Sequence, residues 1–312
     1  MVFVWLGNMI GVDFGASYLD VAVVRGRKLE RTYSIPQKYY SPQFLLNILK
    51  NEILEGEDGK SNVADRQNKP FTLKKQRRGA KAGTEKTISI TGGKASEALV
   101  SVVGKNNPNI RALRKSMKIR EVGEIRAIAE GAKFLSGREK FVVLNVGTGT
   151  PIVFVEGNKV IHLAGTGIGG GTLEGLGKLL LGAQVSELEG LMARGHGSLD
   201  LTVGDVLGRG LGNIPADATA SNFGKTARLD KIQKEDVAIS ILKMVGEILG
   251  IMGVLAARAR NLDEAIYTGR VVDENKFIRE RISNSTALFG VKAHFPKDSK
   301  YCTAIGAAIA GK

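Results

Sequence analysis

The sequence holds a single cysteine, Cys302, among 312 residues. One thiol excludes an intramolecular disulfide framework and any paired-cysteine metal or redox site within a chain. Three scattered histidines offer too few donors for a structural zinc site. Aromatic residues make up only 6% of the chain, too few to interleave a basic surface as a stacking platform for nucleic acid. Acidic residues are outnumbered by basic ones, 31 against 45, for a net charge of +14. Much of the excess lies in Lys69 to Lys86, a polar tract whose one aromatic residue is Phe71, which reads as a solvated basic insertion near 56–86. Such a charge suits attraction of an anionic small substrate and predicts no specific nucleic-acid partner. No uninterrupted apolar run approaches the roughly 18 residues of a membrane span. The opening MVFVWLG lacks the basic leader and cleavage pattern of a signal peptide. The expectation is a cytoplasmic protein without a membrane segment.

What the chain has in quantity is apolar residues, 43%, and glycine, 40 residues. The first supports buried cores in a length that suits two domains. The second is concentrated in a few places, above all GTGIGGGT from Gly165 to Thr172, which runs straight into LEGLGKLLLG. Without a Cβ the backbone can approach a ligand, so successive N–H groups can converge on one anion, phosphate being the obvious choice. A helix starting just behind the loop adds its unpaired N–H groups and positive dipole end. A flexible linker rarely enters an apolar helix without serine or proline.

Ile10 to Arg25, IGVDFGASYLDVAVVR, alternates as strand, glycine turn, strand. Asp13, at the end of a buried strand, needs a partner. A magnesium ion beside polyphosphate supplies one, and capping of the turn is the alternative. Ser41 to Leu54 has a helical stripe, Thr87 to Thr91 reads as a strand, and Ala95 to Val103 as a helix. Glu121 to Leu135 is an amphipathic helix with Glu124 at its beginning. Phe141 to Gly149, then Ile152 to Val155 and Val160 to Leu163, repeat the pattern of strand, glycine tip and strand. Two such hairpins a domain's length apart predict duplicated α/β halves, each bringing a turn to one polyphosphate. Asp236 to Asn261 is a long apolar helix, suited to a core or a subunit contact. Ala265 to Gly269 is a strand entering a glycine, and Ala304 to Ala310 a terminal helix of small residues.

The ordered set GVDFGAS, Thr91-Gly92-Gly93, NVGTGT, GTGIGGGT, LDLTVGD, IPADATASNFGK, YTG and AIGAAIA spans nearly the whole chain. In this it resembles the type II (eukaryotic-like) pantothenate kinases, of the superfamily of acetate kinase, sugar kinases, Hsp70 and actin. The resemblance implies two ribonuclease H-like domains, 1–138 and 139–312, with the last helix packing back on the first and ATP in the cleft between them. It implies a cytoplasmic homodimer that uses ATP and Mg2+ to phosphorylate pantothenate for coenzyme A synthesis. Gly11, Gly15, Ala16 and Ser17 match the first phosphate loop, and Gly147, Thr148 and Gly149 the second. Gly167, Gly169, Gly170, Gly171 and Gly269 fall where the family holds nucleotide. Glu124 falls on the catalytic glutamate and Asp13 on the magnesium-linked carboxylate. The substrate side falls to Thr150, Pro151, His162, Ala220 and Ser221. Without the resemblance, Glu124 reads as an ordinary acidic residue at a helix start.

The departures bear on substrate and catalysis. Ala16 and Ser17 replace a glycine and a threonine, and Asp20 replaces a lysine, a reversal that calls for another cation such as Arg25 or Lys94. Pro151 and His162 replace a serine and an arginine that contact pantothenate. Histidine has no bidentate fork for a carboxylate, and losing such a grip costs about 2–5 kcal/mol. A kinase for another hydroxyl acceptor, or a catalytically inactive nucleotide-binding regulator, are therefore alternatives. A dehydratase activator with an iron–sulfur cluster shares the superfamily, but two copies of Cys302 cannot supply four thiolates.

Overall fold

The computed structural model describes residues 8–57, 100–104 and 108–310. The strand expected at Thr87 to Thr91, the Thr91-Gly92-Gly93 block, Lys94 and all but the start of the basic insertion lie outside the described residues.

The first half opens with three antiparallel strands, β1 (Asn8–Phe14), β2 (Tyr18–Arg25) and β3 (Lys28–Pro36). Helix α1 (Pro42–Glu57) follows, then β4 (Val100–Val103), α2 (Pro108–Arg114) and β5 (Ile119–Glu121). The sheet order is β3-β2-β1-β4-β5, with β4 parallel to both β1 and β5. Val100 to Val103 corrects the helix expected there. VSVV is β-branched and wholly buried in the sheet's interior, and a short apolar run of that kind carries no period to separate strand from helix.

Helix α3 (Glu124–Ser136) leads into the second half, which begins with β6 (Lys140–Asn145), β7 (Thr150–Glu156) and β8 (Lys159–Thr166), again antiparallel. Helix α4 (Gly170–Leu176) continues as a π-helical turn, Gly177 to Leu181. Then come α5 (Val185–Met192), β9 (Leu201–Thr202), α6 (Val203–Leu207), β10 (Thr219–Ser221) and α7 (Lys234–Arg258). The chain ends with β11 (Glu264–Thr268), α8 (Arg270–Glu274), α9 (Lys276–Ala287), β12 (Lys292–His294) and α10 (Cys302–Ala310). The second sheet runs β12-β11-β6-β7-β8, with β11 parallel to β6 and β12. Counted from the start of each half, both sheets have the order 3-2-1-4-5 with the same strand directions, so the duplication expected from the hairpins is present in full.

The two halves exchange their last helices. Ile128, Ala129 and Ala132 of α3 pack with Phe141, Val143, Val153, Val155 and Ile266 of the second sheet. Ala304, Ile305 and Ala308 of α10 pack on Met9, Ala22 and Val24 of the first. The helices cross in backbone contact. A Cβ on Gly306 would stand 1.7 Å from the Ala127 carbonyl oxygen, and one on Gly131 would stand 1.9 Å from that of Cys302. Small residues in α10 are what permit this approach.

Among the described residues one helix, α7, is long and apolar enough to cross a membrane, and 56% of its most apolar stretch is buried. Its apolar residues Ile241, Leu242, Val245 and Leu249 are core, packed with Tyr267 of β11 and with Ile278 and Ile282 of α9. Ile251 and Leu255 stay exposed.

Candidate active site

Parallel strands end their backbone ladders at one edge, and turns that leave that edge meet there. The turns after β1, β6 and β11 are such turns. In the first, Gly15 is half-buried while Ala16 and Ser17 are exposed. Gln37 fastens this turn, its side-chain amide donating to the Gly15 carbonyl at 2.7 Å and its N–H to that of Ser17 at 2.9 Å. Gly11 lies deeper, inside β1. A Cβ there would meet the Ala304 carbonyl oxygen at 1.9 Å, so glycine at this position serves the seating of α10, a role unlike the phosphate contact expected of it.

The second and third glycine turns are docked on each other. The N–H of Gly170 donates to the Gly147 carbonyl at 2.7 Å and that of Gly171 to Thr148 at 2.9 Å. The Thr150 hydroxyl, buried, donates to the Ile168 carbonyl at 2.7 Å. Thr172 closes the loop on itself, accepting from the Gly169 N–H and donating to the Gly167 carbonyl. These bonds give the third turn its shape. The amides of Gly169, Gly170 and Gly171 are spent within the protein, so the glycines at these positions allow close loop packing, and Thr150 is a clamp for the third turn. Thr148 and Gly167 remain exposed.

Gly269, after β11, has φ 97° and its amide bonds the Ser299 carbonyl at 3.0 Å. A Cβ there would lie 2.5 Å from the Val146 carbonyl oxygen, which ties this turn to the one after β6. The Thr268 hydroxyl donates to Asn145 Oδ1 at 2.9 Å, and Asn145 reaches Thr303 of α10 at 3.4 Å.

The acidic groups converge. Asp13 and Asp20 are directly opposite in the β1–β2 ladder and so share a face of the sheet. The Asp13 carboxyl is pushed up to about 7, first by burial, then by the neighbouring charges of Asp20 and Glu124, against the pull of Arg270. Glu124, 111 positions further along the chain, is thus near enough to act on Asp13. It stands exposed at the first position of α3. Asp20 is also raised by its burial and held back by Arg270 and Ser34. Arg270 is the cation that answers the Asp20 reversal, with Nη2 at 2.7 Å from Asp20 Oδ1. Arg25, at the far end of β2 opposite Lys28, does not stand there. Sequence reasoning missed Arg270 because 250 residues separate the pair. The usable signal was a charged residue directly after the glycine of YTG.

Among the described residues no group of three or more histidine, cysteine or acidic side chains is arranged to hold a metal ion. Magnesium takes one or two carboxylates and completes its shell with water and phosphate. Asp13, half-buried among like charges, is the carboxylate that a divalent cation would relieve. Cys302 is buried, its thiol pushed up to about 12, and it faces the Ile128 carbonyl, so it is placed as a core residue.

Of the residues expected on the substrate side, Pro151 pairs with Gly165 across β7 and β8, and exposed His162 follows a bulge in the same ladder. The His162 Nε2 lies 3.8 Å from where a Cβ on Gly165 would stand, so these residues form one cluster. Ala220 and Ser221 belong to a separate ribbon of β9 and β10, held on α7 by Glu247 through Thr219 at 2.8 Å and Asn222 at 3.0 Å. Among the described contacts none joins them to His162 or Pro151.

Comparison with solved structures fits this architecture. Component A of the (R)-2-hydroxyglutaryl-CoA dehydratase of Acidaminococcus fermentans superposes with a TM-score of 0.57 at 17% identity, over 97% of this chain and 96% of that one. The ROK hexokinase of Thermus thermophilus does so with a TM-score of 0.54 at 13% identity, over 97% of each chain. These likenesses show the actin-like ATPase fold. In sequence, the type II pantothenate kinase of Bacillus cereus strain ATCC 10987 is 33% identical over 310 residues, covering 97% of both chains. The Fumble family matches residues 138–310. With this coverage, the chain belongs to the Fumble family, that of the type II pantothenate kinases.

Proposed function

We propose that this chain transfers the γ-phosphoryl group of ATP to the alcohol of pantothenate, giving 4'-phosphopantothenate for coenzyme A synthesis. The observation that carries the reading is the placing of Asp13 at the end of β1, at the first glycine turn and within electrostatic reach of Glu124, in a chain with this family membership.

Phosphoryl transfer asks mainly for positioning and charge compensation. The turns at Gly15 to Ser17, Gly147 to Gly149 and Gly269 frame the polyphosphate, with Gly167 at its hinge side. Asp13 is the residue that would hold Mg2+, which supplies charge neutralisation at the phosphate oxygens when bound. Glu124, exposed and free to face the acceptor hydroxyl, takes its proton as the new bond to phosphorus forms. His162 and Pro151 line the acceptor side. Operation as a cytoplasmic homodimer built on α7, where Ile251 and Leu255 are exposed, belongs to the same proposal.

The test is ATP turnover with and without pantothenate. Turnover stimulated by pantothenate supports the reading, and its absence sinks it. The exposed His162, which lacks the arginine fork, favours one second reading: the same chemistry on a hydroxyl acceptor of other shape. A panel of hydroxy acids in the same assay separates the two.

A further inference from the structure

Arg270 reaches from the second half of the chain into the first. Its Nη2 donates to Asp20 Oδ1 at 2.7 Å and to Ser34 Oγ at 2.6 Å, while the Ser34 hydroxyl itself donates to Asp20 Oδ1 at 2.5 Å. Nη1 is held by Glu274 at 2.8 Å, and Lys300 braces Glu274 at 3.2 Å. The guanidinium carbon lies 3.8 Å from the centre of the Tyr18 ring. Both ion-pair partners are largely buried, with side chains 19% and 11% exposed. Every face of this guanidinium that meets the first sheet is therefore occupied, in the planar and stacked manner that lysine cannot copy.

The position of the contact gives it a consequence. Tyr18 is the first residue of β2, directly after the turn Gly15 to Ser17. Arg270 directly follows Gly269, which is seated on Val146 at the root of the turn Gly147 to Gly149. A continuous path of packed and bonded groups thus joins the first phosphate turn to the second. We propose that Arg270 is a positioning residue for nucleotide, a latch across the cleft that sets the first phosphate turn against the other two through Asp20, Ser34 and Tyr18. The proposal rests on the reading of the cleft as the ATP site. It does not depend on which alcohol is the acceptor.

The experiment measures the dissociation constant of a fluorescent ATP analogue with Mg2+, together with KM for ATP and kcat. The variants are Arg270→Ala, Asp20→Ala, the double alanine, Arg270→Lys and the exchange Asp20→Arg with Arg270→Asp. Each single alanine is expected to weaken nucleotide binding by about tenfold or more, with kcat less affected than KM, as for loss of one buried partner of a charge pair. The double alanine should be no worse than the poorer single, and the exchange should recover most of the loss. Arg270→Lys should fall between. Thermal melting identifies a variant that has merely unfolded, and Arg270→Lys, which keeps the charge, then decides. Nucleotide affinity within about twofold of wild type in Arg270→Ala, or strictly additive losses, overturns the latch. If wild type binds nucleotide but does not phosphorylate pantothenate, the acceptor reading fails while the binding data still decide the latch.

Discussion

Gly269→Ala isolates what the turn after β11 demands of its backbone. The residue sits at φ 97°, ψ 166°, a conformation essentially confined to glycine, and holding alanine there costs about 1–3 kcal/mol. The new methyl would also stand 2.5 Å from the Val146 carbonyl oxygen and 2.8 Å from its nitrogen. Val146 cannot yield readily, since its N–H bonds Thr268 and its carbonyl accepts from Val271. Overpacking adds about 1–3 kcal/mol, so the total is about 2–6 kcal/mol. Gly137→Ala is the control. That residue caps α3 at φ 69° with nothing within 4 Å of its would-be Cβ, so only the left-handed strain applies, about 1–2 kcal/mol. At about 2 °C per kcal/mol for a chain of this size, melting should fall by about 2–4 °C for the control and about 4–12 °C for Gly269→Ala. Because the clash lands on the root of the Gly147 turn, only Gly269→Ala should also lose ATP affinity in titration calorimetry. Equal melting temperatures with unchanged nucleotide affinity would refute the reasoning.

Three further outcomes follow from the same contacts. Glu124→Gln should lower kcat by about 10²–10⁴-fold in an ADP-release assay, with melting and nucleotide affinity unchanged because the side chain is exposed; a turnover near wild type removes it as the base. Asp13 has its native pKa raised from 3.8 to about 7, so the folded chain binds a proton that the unfolded chain releases first, and stability falls as pH rises through that window. Without nucleotide, the melting temperature of wild type relative to Asp13→Asn should drop between about pH 4 and pH 7 and then level off, and a flat difference contradicts the assignment. Gly306→Val should cost about 3 kcal/mol or more by forcing α3 and α10 apart, whereas Gly175→Ala, in helix α4 with open space around it, should stabilise by about 0.5–1 kcal/mol; melting curves that rank them otherwise dispose of the crossing argument.

The hairpins were legible in the sequence because alternation and a glycine tip are local signals, and their repetition announced two like halves. Residues such as Val100 to Val103 were not, since a strand buried on both faces shows no alternation. The exchange of α3 and α10 was half visible. Small residues in AIGAAIA promise a close neighbour, but nothing local says that Cys302 will meet Gly131 or that Gly11 will meet Ala304. In the site, Asp13 and the turns follow from pattern. The use of the Gly170 and Gly171 amides does not, because it depends on which carbonyl lies opposite once the turns dock. Asp20 alone showed that a cation was owed, and the choice among Arg25, Lys94 and Arg270 required the register of β2 and the crossing of the cleft.

The helix exchange bears on how the proposed base and the metal-linked carboxylate are kept in step. Glu124 begins α3, and α3 packs on the second sheet, so Glu124 belongs mechanically with the turns at Gly147 and Gly269. Asp13 belongs with the first sheet, on which α10 is seated. The two carboxylates therefore ride on different bodies, joined by the α3–α10 crossing. Backbone contact at Gly131 and Gly306 leaves that crossing little freedom to widen, since any separation forfeits close packing along both helices. The two halves are joined a second time where Arg270 grips Asp20, Ser34 and Tyr18. In the proposed reaction, the crossing and the Arg270 contact are the two joints through which Glu124 and Asp13 are held to a common polyphosphate.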